Sequence, residues 1–344
     1  MKRVGRKPLI SRRAFLGGAA LSVAAPSLLR AQTVRTLKIS HQFPGGSIDQ
    51  GDFRDRLCRK FAAAVEARTS GALKFEIYPG SSLMKTDAEF AALEKGALDF
   101  TLYPLANAGS EIPAMNLALM PCLVGSYEQG MNWKDAAIGK SLARIAEGKG
   151  VKFISWIWQA GCIASMVPVK GPGDVKGMKI RGGSPAMDLV LSTAGAKVAA
   201  MPSNEINLRM LTGTLDAAMT SSTSLISFKI DETAKAVTTA RQGSIWFMCA
   251  PLLMSKIVFD SLAANQQKAI TEAGAEMEWF AAVEAAKDDK AVAKVFGDKG
   301  LTVADFSADS LAEWRALAEK SAWQDFAAKS PETAELLASA RAVA

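Results

Sequence analysis

The stretch from Val34 to Pro104 fixes the class of fold before any other feature does. "VRTLKIS" (34–40) alternates apolar and polar residues with the period of a strand. From Asp49 to Arg68 the period changes: Phe53, Leu57, Phe61 and Val65 recur every four residues on one helical face. Thr69-Ser70-Gly71 stops that helix. "LKFEIYP" (73–79) alternates again, 87–95 reads as a short helix closed by Gly96, and "ALDFTLYP" (97–104) returns to a strand. Strand, helix, strand, helix, strand in so short a run predicts a parallel sheet with helical crossovers.

Residues 105–130 are irregular and rich in Pro, Gly and Met. A helix follows over 132–147, then a buried strand, "VKFISWIW" (151–158). A second α/β set then begins, with strands at 162–169, 177–181, 197–202, 215–221 and 234–240. Helices at 185–194, 204–212 and 223–233 fall between them. The apolar run "SIWFMCAPLLMS" (244–255) reads as one strand, 264–296 as a long scaffold helix, and 308–343 as helical. The fold class is therefore α/β with two lobes and a ligand cleft between them. The expected division is 32–157 plus 244–275 for lobe I, and 158–243 plus 276–344 for lobe II and the C-terminal helices. Ligands of open parallel sheets collect at the carboxyl ends of strands.

Charge narrows the possible partners. Seven of the 41 basic residues and none of the 34 acidic ones fall in residues 1–31, so the remaining chain is balanced and has no field to attract nucleic acid. The basic start runs into an apolar stretch, Phe15–Leu29, too short to span a bilayer. This is the pattern of a cleaved signal peptide ending near Ala31, and "SRRAFL" (11–16) resembles a twin-arginine export signal. The expected location is the periplasm, with no membrane insertion after cleavage. A disordered basic tail or an uncleaved anchor is the other reading of this segment.

Four cysteines, Cys58, Cys122, Cys162 and Cys249, stand in apolar contexts without a CxxC. They read as buried small hydrophobes, although an oxidising compartment also permits pairing. With a single histidine, His41, the spacing of a zinc site is absent, so no metal is expected. No GxSxG accompanies His41, and no dinucleotide or P-loop glycine spacing occurs, so neither a hydrolase triad nor a nucleotide cofactor is expected.

The most informative corner is "KIRGGSPAMDL" (179–189). Arg181 ends a strand and precedes two glycines, which let a ligand approach the backbone. Ser184 suits an N-cap and Pro185 the first helical position. A planar guanidinium beside a helix start forms an anion site matched to a carboxylate. An arginine in a solvated turn or a structural ion pair would look the same at this level.

From Lys176 onward the chain resembles the solute receptors of TRAP transporters, the DctP-like family. The matching residues are Lys176-Gly177, Lys179-Ile180-Arg181, Ala194-Gly195-Ala196, Met201-Pro202, Glu205, Leu211, Gly213, Leu215-Asp216, Ser227, Lys229 and Glu232. The opening, 37–83, and "EKGALDF" (94–100) resemble the same family, so the likeness spans most of the chain. It implies the two-lobed periplasmic-binding-protein architecture and a non-enzymatic receptor. Such a receptor closes on an organic acid, with Arg181 at the carboxylate, and delivers it to a membrane permease of small and large subunits.

Departures bear on the substrate. Ile163 stands where members for dicarboxylates and sialic acid often carry a second arginine, after Trp158-Gln159-Ala160-Gly161-Cys162. Met219-Thr220-Ser221 replaces a Glu-Asn-Pro run, Ala218 stands for its glutamine, and Ser203 for a phenylalanine. Fewer charged partners, with Trp156, Trp158, Trp246 and Phe247 at hand, predict an aromatic or apolar monocarboxylate or 2-oxo acid. Candidate binding residues are Arg181, Gln159, Trp158, His41, Tyr103, Thr220, Ser221, Ser222 and Trp246. His41 can equally be a core histidine, Tyr103 can cap the sheet, and Ser221-Ser222 can cap the next helix. Two other functions are compatible with the residues alone: an exported enzyme, and a ligand sensor without a transport role.

Overall fold

Two mixed sheets, between which the chain crosses three times, organise the molecule. The computed structural model describes Met1 and residues 34–343. The expected signal segment otherwise lies outside the described residues.

In chain order the first part holds β1 (Arg35–Ser40), α1 (Phe53–Arg68), β2 (Leu73–Tyr78), α2 (Thr86–Glu94) and β3 (Phe100–Leu102). Two 3₁₀ turns, Leu105–Ser110 and Pro113–Leu119, lead to α3 (Tyr127–Asn132), α4 (Ala137–Gly148) and β4 (Val151–Ser155). The second part holds β5 (Trp158–Ser165), β6 (Lys179–Arg181), α5 (Pro185–Thr193), β7 (Lys197–Val198), α6 (Ile206–Leu211), β8 (Ala217–Ser221), α7 (Ser222–Ser227) and β9 (Ala236–Thr239). Then come β10 (Phe247–Cys249), β11 (Leu252–Ser255), α8 (Lys256–Asp260), α9 (Ala264–Asp298), β12 (Thr302–Asp305), α10 (Ala308–Ala318), α11 (Gln324–Ala328) and α12 (Pro331–Arg341).

The first sheet has the order β2-β1-β3-β11-β4. Its β1, β2 and β3 are parallel, as the alternation of elements predicts, and Phe61 of α1 packs edge-on against Phe75 and Phe100 beneath them. The second sheet has the order β12-β9-β5-β8-β6-β7, with β10 pairing on β5. Neither sheet is wholly parallel, which corrects the expectation. β11 runs antiparallel to β3 and β4, and β5 antiparallel to β8, β9 and β10. Side-chain periodicity marks a strand but carries no information on the direction of its neighbour.

Residues 244–255 do not form one strand. β10 pairs with β5 in the second sheet and β11 with β3 and β4 in the first. Pro251 separates them and has no N–H for a ladder. Its carbonyl accepts from Tyr103 N at 3.0 Å, while Ala250 N donates to Ile157 O at 2.8 Å. The run 151–158 splits in the same place, with β4 ending at Ser155 and β5 starting at Trp158. These first two crossings therefore lie side by side, and α9 makes the third. The 35-residue α9 packs on α1, α7, β4 and β5, so one rigid helix touches both sheets. Three further differences are local. β12 was not expected, the 308–343 region is broken by a π turn at Glu319–Trp323, and α6 is preceded by a 3₁₀ turn. All four cysteines are free thiols, and three are buried.

Candidate functional site

β6 runs parallel to β8, with Arg181 opposite Ala218, and ends at the glycine pair. Ser184 caps α5, its Oγ accepting from Met187 N and donating to Leu119 O, both at 3.0 Å, and Pro185 takes the first helical position. The Arg181 side chain is 6% exposed. Its Nε donates to Met201 O at 3.1 Å and its Nη1 to Met219 O at 2.8 Å. Both acceptors are neutral. Burial pulls the guanidinium down to about 10, against the opposing charge of Asp188, so it remains charged at neutral pH. Burial likewise lifts Asp188 to about 6, although Arg181 and the Gly182 N–H favour its anion.

Gly183 is required here. Its φ is +99°, and a Cβ would stand 2.6 Å from Arg181 Nη1. Trp246 holds the corner from behind, with Nε1 donating to Gly182 O at 2.8 Å.

In front of this corner lies a cavity of about 580 Å³. One wall is Gly183, Ser184, Asp188, Met201, Asn204 and Glu205, from the second-sheet side. The facing wall is the start of α2, Lys85 to Asp87, together with Ser81, Asn107 and Ser110. Arg181 itself does not line this cavity; its guanidinium lies against Gly183 and donates to the carbonyl of Met201, and both of those residues do line it.

A second polar cluster centres on Arg54, which the sequence reading does not single out. It is fully buried near the start of α1. Nε and Nη2 grip both oxygens of Asp52, at 2.9 and 2.6 Å, and the guanidinium lies 3.6 Å over the Phe43 ring. Nη1 donates to Gln159 Oε1 at 3.2 Å, Ser221 Oγ at 3.2 Å and Ser224 Oγ at 3.0 Å. An arginine from the first sheet's crossover helix thus binds side chains of β5, β8 and α7. The sequence does carry a signal for it. Arg54 opens the stripe Cys58, Phe61, Val65, at helical spacing on a buried face.

Three expected residues gather near this cluster. Gln159 and Ser221 touch Arg54 directly, and His41 stacks on Phe43 at 5.9 Å with Nε2 3.2 Å from Asp55. Burial acts to raise Asp55, but His41, Arg59 and the Gly46 N–H outweigh it and hold the carboxyl below its usual value. The Nε2 of Gln159 and the Oε1 of Gln42 are buried without a hydrogen-bond partner.

The remaining residues are dispersed. Thr220 sits on β8 between the Met219 carbonyl on Arg181 and the Ser221 hydroxyl on Arg54; those two lie roughly 7 Å apart along a strand. Ser222 donates to Asp289 at 2.5 Å, and Tyr103 is buried against Phe90. Trp158 packs edge-on against Trp133, and Trp246 is buried at the glycine corner. Both indoles pack within the protein, and neither lines the cavity.

Beneath the facing wall, Glu89 of α2 is fully buried and accepts from Ser40 Oγ at 2.6 Å and Thr101 Oγ1 at 2.8 Å. Burial lifts it to about 7, with the two hydroxyls opposing. A raised carboxyl stabilises the fold fully below its unfolded value and loses that contribution as pH rises through the folded one. The melting temperature should therefore fall between pH 5 and pH 8, and Glu89→Gln should flatten that fall. An equally steep profile in the variant would show that Glu89 does not titrate in this window.

The family model for bacterial extracellular solute-binding protein, family 7 (DctP) matches residues 52–330. The chain belongs to this family. A solute-binding protein of Albidiferax ferrireducens is 55% identical over 327 residues, covering 95% of this chain and 96% of its own. The crystal structure of a TRAP periplasmic solute binding protein from Rhodoferax ferrireducens, with bound malonate, is 56% identical. It superposes with a TM-score of 0.88 over 89% of this chain and 97% of its own. The 2,3-diketo-L-gulonate-binding periplasmic protein of Escherichia coli is 27% identical, covering 84% of this chain and 85% of its own. As a DctP-family member the chain is a solute-binding receptor with the two-lobed TRAP fold. Among its described residues no helix is long and apolar enough to cross a membrane.

Proposed function

We propose that this receptor captures an organic acid in the cavity in front of Arg181, closes its lobes on it, and delivers it to a TRAP permease. One observation carries the reading. A buried, charged guanidinium is bonded only to neutral carbonyls and lies against Gly183 and Met201, two residues that line a ligand-sized cavity. A carboxylate supplies the charge that those carbonyls do not. Lobe closure then excludes water and strengthens the pair. The malonate held by the Rhodoferax relative supports an acidic ligand.

The lobes are taken as 32–157 plus 244–275 and 158–243 plus 276–344, with the return crossing moved to Ala250-Pro251 because Phe247–Cys249 pairs with β5. Export by the twin-arginine route would place the receptor in the periplasm. Arg181 would hold one carboxylate, but malonate, bound by the 56% identical relative, is a dicarboxylate and counts against the monocarboxylate expectation. An aromatic body has less support, because Trp158 and Trp246 are engaged in packing.

Calorimetry with a panel of organic acids tests the reading. The expected result is stoichiometric, saturable binding with the acid recovered unchanged, and uptake only when the receptor is reconstituted with its permease. Turnover of the acid would favour an exported enzyme, and binding without permease-coupled uptake a sensor.

A further inference from the structure

The glycine pair at the corner keeps two opposite charges close to one turn of backbone. A Cβ on Gly183 would meet Arg181 Nη1, and a Cβ on Gly182 would stand 2.5 Å from Asp188 Oδ1. Asp188 lies in the first turn of α5, and its Oδ1 accepts from Gly182 N at 3.2 Å. It lines the cavity, whereas Arg181 does not. Arg181 acts on it as a charge and not as a hydrogen-bond partner. α5 has no other titratable side chain. The elements packed against α5 carry Lys197 on β7, Glu319 and Lys320 in the π turn, and Asp309, Glu313 and Arg315 on α10; none of these is among the charges that act on Asp188. Across the cavity stand Lys85 and Asp87, and Glu205 in its lining is paired with Arg209 at 3.3 Å. Among the described residues, Arg181 is therefore the one charge that favours the Asp188 anion.

A carboxylate arriving at Arg181 changes that balance twice. It takes up the positive field on which the Asp188 anion depends, and it adds a negative charge to the cavity that Asp188 lines. Both effects favour the neutral carboxyl. Closure removes water and enlarges them. A proton fits on Oδ2, because Oδ1 keeps its bond from Gly182 N. Oδ2 then becomes a donor, where the ionised group could only accept.

We propose that Asp188 takes up a proton from solvent as the acid binds, so that capture is linked to pH and strengthens as the pH falls. The inference rests on the reading that Arg181 receives the ligand's carboxylate, and it adds a proton to that step. No bond of the ligand changes. Without ligand, burial already lifts Asp188 to about 6. A higher value in the bound state makes affinity greatest below the free value. Affinity then falls as pH rises from the free value to the bound one, and is level at its lowest above that.

The test is calorimetric titration of the purified protein with malonate, pyruvate, D-glucuronate and phenylglyoxylate, the tightest of which is carried forward. It is run in phosphate and in Tris, whose heats of ionisation differ, so that bound protons are counted. Binding should be about three- to tenfold tighter at pH 6.5 than at pH 8.5, with about half a proton taken up at pH 7. Asp188→Asn keeps an acceptor for Gly182 N and fixes a neutral side chain. It should bind more tightly than the parent at pH 8.5, lose the pH dependence and take up no proton. Titration of the ligand is common to both proteins and cancels. Asp188→Ser is read in the same way if the amide variant does not melt cooperatively. Absence of proton uptake by the parent overturns the inference, as does equal uptake by parent and variant; its loss in Glu89→Gln would then assign the proton to Glu89. In either case, binding that still requires Arg181 leaves the receptor reading standing. If no acid binds, or Arg181→Ala binds as well as the parent, the receptor reading itself fails.

Discussion

Arg181→Ala should remove most of the affinity for the cognate acid and leave the fold in place. A charge-assisted bond to a desolvated carboxylate contributes on the order of 2–5 kcal/mol when truncated, a loss of roughly thirty-fold to several-thousand-fold in Kd. The fold should survive because Met201 lines the cavity, so water can meet its carbonyl, and water entering the space the side chain leaves can meet that of the buried Met219. Arg181→Lys does not rescue binding. An ammonium has one charged tip and cannot hold two carbonyls and a carboxylate in a planar fork. Isothermal titration alongside a thermal melt separates the two effects. Unchanged affinity with an unchanged melt would place the carboxylate elsewhere.

The second large effect is on stability. Arg54→Ala should cost about 3–5 kcal/mol, because it leaves the buried Asp52 carboxylate without its bidentate partner. Gln159, Ser221 and Ser224 lose a common donor in the same step. Arg54→Lys recovers little, since three acceptors and a flat contact with Phe43 require the planar group. Removing Asp52 and Arg54 together should cost less than the two single losses combined, because no orphan charge remains. Urea denaturation of the four proteins measures this. A single-variant loss below about 0.5 kcal/mol, the range of an ordinary surface change, would mean that the pair is solvated in solution.

Much of this molecule was legible in one dimension, for a specific reason in each case. β1, α1, β2 and α2 lie where the periodicity places them. A helix period of four and a strand period of two are local properties, and caps such as Asp52 and Gly96 are local too. The 181–185 corner was legible for the same reason. Arg, Gly-Gly, an N-cap serine and a proline each constrain their own backbone, and the structure shows that geometry.

Other features were not local. Whether β5 meets β8 parallel or antiparallel depends on residues more than fifty positions apart, and alternation is identical in both cases. The apolar run 244–255 looked like one strand because burial in either sheet selects the same side chains; Pro251 marked the division, but only the packing showed that its halves join different sheets. The sequence alone thus determined the kinds of element, the glycine corner and the arginine at its end, since each follows from the conformational preferences of neighbouring residues. Only the tertiary structure decided that Arg54 meets side chains up to 173 positions away. It alone set the acids of two distant helix starts around one cavity. Those arrangements depend on which surfaces pack together, and the packing is set by long-range burial that no local pattern encodes.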